Sequence, residues 1–240
     1  MHIKKVSLHP ELFPTTEYYP FNLPIFHRTK DVDLTSPITF FVGENGAGKS
    51  TLLRSISYKC GIYIWRGVER TRYDNNPYED YLYRAIKIEW ANGHVQGAFF
   101  GSQHFQNFAQ LIDEWAASDP KMLEYYGGKS LMTKSHGQSI ITYFRNRYKI
   151  KGLYLMDEPE TALSPQSQLD LLKIIIESSR RGNAQFIIAT HSPILLACPE
   201  AQIYSFDKIP VQPIGYEDTE YYRFYKDFLN NPESYLSGIA

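Results

Sequence analysis

The sequence predicts an α/β fold: a mostly parallel central sheet, an antiparallel β part and a small helical subdomain. Three observations carry this expectation. First, ITFFV (38–42), GLYLMDE (152–158) and AQFIIAT (184–190) are short apolar runs, the pattern of strands buried on both faces. Second, helical patterns alternate with these runs, as in a doubly wound sheet. Third, Asn92-Gly93 stands between RAIKIEW and HVQGAFF, a strong short-range signal for an antiparallel hairpin.

In chain order, IKKVSL (3–8) alternates and reads as a strand, and the proline-rich stretch from Pro10 to Pro24 reads as loop. ITFFV runs into a glycine-rich turn, and Ser50 to Lys59 reads as a helix. Residues 84–100 are then expected to form an antiparallel insertion or edge. Phe105, Phe108, Ala109, Leu111, Ile112 and Trp115 recur at helical spacing. After a break at Gly127-Gly128, Gln138 to Tyr148 reads as a helix, followed by the second buried strand. QSQLDLLKIIIESSRR is a helix with cations at its C-terminal end, where they complement the macrodipole. AQFIIAT is the third buried strand, and the tail from Tyr216 is expected to be helical and docked through its aromatics. With no repeat or low-complexity linker, residues 1–240 are expected to form a single domain, with a helical subdomain over about 104–150.

Composition narrows the function classes. Of 240 residues, 43% are hydrophobic and 21% charged, which excludes disordered and fibrous classes. Lys and Arg total 25 against 26 Asp and Glu, so net charge gives no indication of nucleic acid or membrane binding, although a local basic patch stays open. Cys60 and Cys198 are too few for a disulfide framework. The N-terminus lacks a signal-peptide core, and no apolar stretch approaches the roughly 18 residues of a membrane span. The expectation is a soluble, cytoplasmic protein. Aromatics reach 15%, including 19 tyrosines, more than a core of this size needs, which hints at a partner surface.

The chemistry is concentrated in two motifs. Gly43-Glu44-Asn45-Gly46-Ala47-Gly48-Lys49-Ser50-Thr51 satisfies G-x-x-x-x-G-K-[ST] between a strand and a helix. Its glycines let backbone N–H groups turn inward around phosphate oxygens at a helix N-terminus. Lys49, read as lying on a solvated loop, is a point charge for the β- and γ-phosphates. The Ser50 hydroxyl suits Mg²⁺, and Thr51 is placed for the α-phosphate. The second motif, Leu153 to Glu158, is an apolar strand ending in two carboxylates, and ligands of open α/β sheets bind beyond the strands' carboxyl ends. Asp157 there would orient Mg²⁺, and Glu158 would polarise the attacking water.

Taken in order, the phosphate loop, a glutamine, Ser135-His136-Gly137-Gln138, the Asp-Glu-Pro strand and Thr190-His191-Ser192 resemble the ATP-binding-cassette (ABC) ATPase superfamily. Within it, GENGAGKSTLL, YGGKSLMTKSHGQS, GLYLMDEPETALSPQSQLDLL, QFIIATHSPILLACPEAQIYSFD and the tail FLNNPESYL resemble small stand-alone bacterial AAA-family ATPases, heads of SMC-like or OLD-like type without a coiled coil. The resemblance implies that Gln103 reaches Mg²⁺ and the attacking water, with Gln106 and Gln96 as competitors. It implies that Ser135, His136, Gly137 and Gln138 form the signature, which contacts the γ-phosphate held by an opposite subunit. Lys134 and His136 stand where Leu and Gly are common. Glu160 to Leu163 takes the place of the D-loop, and His191 that of the switch histidine at the γ-phosphate. Phe26 or His27 could stack on adenine, or could pack in the core.

For a partner surface, TYFRNRYKIK (142–151) interleaves aromatics with cations, but reads more readily as a solvated helix end. The segment from Tyr63 to Tyr83, with Trp65, Arg66, Arg70 and Arg72, is the better candidate. The expected function is Mg²⁺-dependent ATP binding and hydrolysis with ATP-driven head-to-tail homodimerisation, acting as a switch on an unidentified protein partner. The alternatives are a nucleotide-binding subunit of a membrane transporter and the ATPase of a DNA-repair or anti-phage defence system.

Overall fold

In the computed structural model, residues 1–65, 76–102, 105–133 and 136–237 are described. Two sheets form. The smaller is antiparallel, in the order β2 (Asp31–Asp33), β1 (Ile3–Leu8), β4 (Ile86–Trp90). The larger runs β5 (Gly97–Gly101), β6 (Gly152–Asp157), β7 (Ala184–Ala189), β3 (Ile38–Val42), β8 (Gln202–Ser205), β9 (Gln212–Pro213), all parallel except the β8–β9 pair. The mostly parallel sheet with an antiparallel part is therefore present, and the three apolar runs are its central strands β3, β6 and β7.

Burial on both faces explains why those runs do not alternate. Phe41, Leu155 and Ile187 pack with Leu53 and Ile56 of α2 (Lys49–Lys59) and with the antiparallel sheet. Their neighbours Phe40, Tyr154, Met156, Phe186 and Ile188 point the other way. They meet Phe105, Phe108 and Ile112 of α3 (Phe105–Ser118), Ile140 and Phe144 of α4 (His136–Arg147), and Leu171 and Ile175 of α5 (Pro165–Arg180). Four further α-helices are described: α1 (Pro24–Arg28), α6 (Pro193–Leu196), α7 (Glu220–Asn230) and α8 (Pro232–Leu236).

The hairpin around Asn92-Gly93 is not formed. The chain does turn there, with Gly93 at φ 85°, but the two strands join different sheets. β4 pairs antiparallel with β1, placing Ile88 opposite Val6, whereas β5 pairs parallel with β6, placing Gly101 opposite Asp157. Each strand gains a buried partner it would lack in an isolated ribbon, and two-stranded hairpins are only marginally stable. The tail is helical as expected, yet no residue of α7 is buried, and Phe224, Tyr225 and Leu229 are exposed. It is anchored mainly by Thr219, which is buried and caps α7 by accepting from Tyr222 N–H, and by Tyr221. Among the described residues no helix is long and apolar enough to cross a membrane.

Candidate active site

The parallel strands deliver the motif residues to one end of the sheet. β7 lies between β3 and β6, so the segment after β7 falls between the glycine loop and the Asp157-Glu158 pair. The loop after β3 curls tightly. A Cβ on Gly43 would stand 2.9 Å from Asp207 Oδ1, the same oxygen that accepts Glu44 N–H at 2.7 Å. Gly48, at φ 102°, opens α2, and a Cβ there would stand 2.8 Å from the Phe26 ring. Asn45 and Gly46 are exposed at the tip. Ala47, half-buried, donates its N–H to Glu44 O at 3.2 Å.

Lys49 differs from the solvated loop lysine expected. It is 4% exposed, and its ammonium donates to the carbonyls of Gly43 (2.6 Å) and Glu44 (2.8 Å). Burial lowers its pKa, opposed by the carboxylates of Glu158, Asp207, Asp157 and Glu44. Ser50 Oγ donates to Asp157 Oδ1 at 2.7 Å, joining α2 to the end of β6. Burial raises the Asp157 pKa, partly offset by the Ser50 hydrogen bond. Thr51 is buried, and its hydroxyl is hydrogen-bonded to the Tyr19 phenol.

Glu158 takes a left-handed backbone, φ 47° and ψ 55°, which is unusual for a residue with a side chain and costs about 1–2 kcal/mol. This turn lets two adjacent carboxylates serve one site, although consecutive strand residues face opposite ways. The Glu158 carboxylate lies 3.4 Å from His191 Nε2, which is buried and has no hydrogen-bond partner. The pair is in ion-pair range without hydrogen-bond geometry. Desolvation lowers the His191 pKa, helped by the Lys49 charge and opposed by Glu158. Three contacts that the sequence did not specify hold this end of β7. Glu160 Oε1 accepts His191 N–H at 2.6 Å, Ser192 Oγ donates to Gln168 at 2.6 Å, and the Tyr221 phenol is bonded to His191 Nδ1. Asp207 was not singled out by the sequence. It follows β8 at the carboxyl end of the sheet, where the rule that pointed to Asp157 applies equally.

The remaining sequence candidates divide. Gln103 and Ser135 lie outside the described residues, but Gly101, two positions before Gln103, is opposite Asp157. Gln96 is at the far end of β5, where its carbonyl accepts Leu153 N–H, so it is no longer a competitor. His136 opens α4, and Gly137 sits against the D-loop position, where a Cβ would stand 3.3 Å from Ala162 O. Gln138 is exposed in the first turn of that helix. Phe26 is fully buried and buttresses Gly48, while His27 Nε2 is hydrogen-bonded to Phe21 O; both serve packing. In the 142–151 stripe, Tyr143, Phe144 and Tyr148 are buried, so its aromatics offer no stacking surface. Arg66, Arg70 and Arg72 lie outside the described residues.

The donors suit a magnesium–triphosphate group. Ser50 and Asp157 are hard oxygen ligands, the loop is packed so closely against Asp207 and Phe26 that Gly43 and Gly48 admit no side chain, and the orphaned His191 Nε2 lacks a partner. Among the described residues no cluster of three His, Cys, Asp or Glu could hold a metal alone. Fold and glycine loop together place the chain in the P-loop class of α/β folds.

Comparisons with known proteins narrow the class. The family model described as AAA ATPase domain matches residues 138–196, and one described as AAA domain matches residues 22–75. The phosphate import ATP-binding protein PstB 2 of Streptococcus pneumoniae is 26% identical over 176 residues, covering 65% of this chain and 65% of that protein. The SMC head domain from Thermotoga maritima aligns with a TM-score of 0.50 at 15% identity, over 90% of this chain and 99% of that one. For cbiO1 from Clostridium perfringens, part of an ABC transporter complex, the values are 0.51 and 15%, over 97% of each chain. At such identities the structures show the fold alone. The chain is thus similar in sequence to ATP-binding proteins of the ABC and AAA types and shares the fold of ABC ATPases and SMC heads.

Proposed function

We propose that this protein binds Mg·ATP, hydrolyses its γ-phosphate, and uses ATP-driven closure of a head-to-tail homodimer as a switch on a protein partner, in the cytoplasm. The observation that carries this reading is the convergence of Lys49, Ser50, Asp157, Glu158 and His191 around one glycine cradle. On this reading, ATP phosphates take over the Lys49 ammonium from the Gly43 and Glu44 carbonyls, while loop N–H groups meet phosphate oxygens. Ser50 and Asp157, with Gln103, would hold Mg²⁺, which supplies charge neutralisation along the triphosphate. Glu158 orients the attacking water and takes its proton as the new P–O bond forms and the bond to the β-phosphate breaks. His191 faces the γ-phosphate with Nε2. Ser135, His136, Gly137 and Gln138 complete the partner's site, and 104–150 acts as the helical subdomain of one ATPase domain, 1–240. Gly137 against the Ala162 carbonyl supports that coupling of signature and D-loop.

Glu158→Gln tests the whole scheme. The amide keeps size and shape but loses charge and basicity, while Lys49, Ser50 and the loop are untouched. Light scattering after gel filtration should show a dimer with ATP·Mg²⁺ and a monomer with ADP. Turnover should drop about 10²-fold or more, the scale of a lost general base. A monomeric variant with wild-type turnover would refute both the base and the switch.

A further inference from the structure

α7 exposes most of its length, yet one of its side chains reaches the site. The Tyr221 phenol is hydrogen-bonded to His191 Nδ1 and lies 3.4 Å from Gly43 O, the carbonyl that also holds the Lys49 ammonium at 2.6 Å. Its ring packs edge-on against the imidazole, with centroids 4.9 Å apart at 74°. Thr219 fixes where the helix begins and hence where Tyr221 falls.

The partners on the two sides of the imidazole decide its proton. Nε2 faces Glu158, and an ionised carboxylate only accepts. A neutral ring with its proton on Nε2 has a lone pair on Nδ1, which the single phenolic proton of Tyr221 then satisfies in preference to the Gly43 carbonyl, which is 3.4 Å away and already accepts from Lys49. The reverse tautomer would set a lone pair against the Glu158 carboxylate. Burial pushes the Tyr221 pKa up to about 12, so the phenol keeps its proton at neutral pH.

We propose that Tyr221 is a positioning residue: it fixes His191 in the tautomer and orientation that present Nε2–H to the γ-phosphate. The proposal rests on the role given above to His191. It makes a helix at the far end of the chain part of the ATPase site, because a phosphate oxygen, like Glu158, is acceptor-only and is served by an N–H.

The test reads the ring itself. Long-range ¹H–¹⁵N spectra of histidine-labelled protein without nucleotide should show His191 protonated on Nε2 and bare on Nδ1. Tyr221→Phe keeps the ring packing and loses only the hydroxyl. The Nδ1–H tautomer should then become populated, and kcat should fall roughly tenfold to a hundredfold, as when a group fixing a ligating histidine is lost, with KM unchanged. Phe224→Ala, on the exposed face of the same helix, should change neither readout. A wild-type ring protonated on Nδ1, or Tyr221→Phe with wild-type spectrum and kcat, would overturn the proposal. Failure of the ATPase reading is separate: it would show as wild-type protein that neither binds nor hydrolyses ATP, whatever the ring spectrum.

Discussion

At the scale of single residues, the site depends on a lysine that its surroundings hold in reserve. The Lys49 ammonium is desolvated yet bonded to two backbone carbonyls, so its charge is kept beside the cradle and is released to a stronger acceptor by a modest exchange of hydrogen bonds. Lys49→Ala should abolish ATP binding. Because the lost group is buried and its two carbonyls lose a donor, the fold should also lose about 1–2 kcal/mol, short of unfolding. Calorimetric titration with ATP alongside thermal denaturation checks this; a folded variant with wild-type affinity would refute the role. The type and spacing of Lys49, Ser50, Asp157 and Glu158 were legible because phosphate and Mg²⁺ chemistry admits few residue types. Tyr221 was not, since one more tyrosine in an aromatic tail carries no periodic signal, and the Glu160 bond to His191 N–H was not, since the D-loop resemblance names no partner.

At the scale of elements, positions at the strand ends matter more than the strands themselves. The loop between β3 and α2 is flanked on three sides, by Asp207 after β8, which accepts Glu44 N–H, by Phe26 of α1 and by the Tyr221 ring of α7. Gly48→Ala places a Cβ 2.8 Å from the fully buried Phe26 ring on a backbone at φ 102°. The ring cannot swing into solvent, so the loop must give way. ATP affinity should fall at least about tenfold, and stability by about 1–3 kcal/mol, the usual penalty of overpacking. Wild-type calorimetric affinity would show that the cradle tolerates the shift. Helices and buried strands were readable from their periods, as α3 and the three apolar runs show. The β4–β5 turn misled because Asn-Gly reports a local reversal, whereas the choice of pairing partner depends on strands distant in sequence.

At the scale of the whole molecule, the proposed switch needs a second copy. Ser135→Arg should leave ATP binding by the isolated chain nearly unchanged, because the signature is assigned to the partner's nucleotide. It should block nucleotide-dependent dimerisation by placing bulk and charge at the helix α4 entry. Sedimentation velocity of Glu158→Gln with and without Ser135→Arg is the measurement, and a double variant that remains a dimer with ATP would contradict a site shared between subunits. The near-neutral net charge offers no long-range field, so association is expected to follow nucleotide state more closely than ionic strength.

What the sequence determined by itself was the class of fold and the residues proposed for the phosphate chemistry. Apolar runs without alternation can only be satisfied by burial on two faces, and a glycine-rich turn before Lys-Ser at a helix start has few uses besides holding phosphate. What only the tertiary structure decided was the company these residues keep. The left-handed turn at Glu158, the strand that sets His191 between the loop and the carboxylates, and the phenol that reaches back from α7 all arise from packing between segments far apart in the chain. Local pattern reports the period and burial of a segment; the direction of a carboxylate or the tautomer of an imidazole is set by neighbours that only folding brings within a few ångströms.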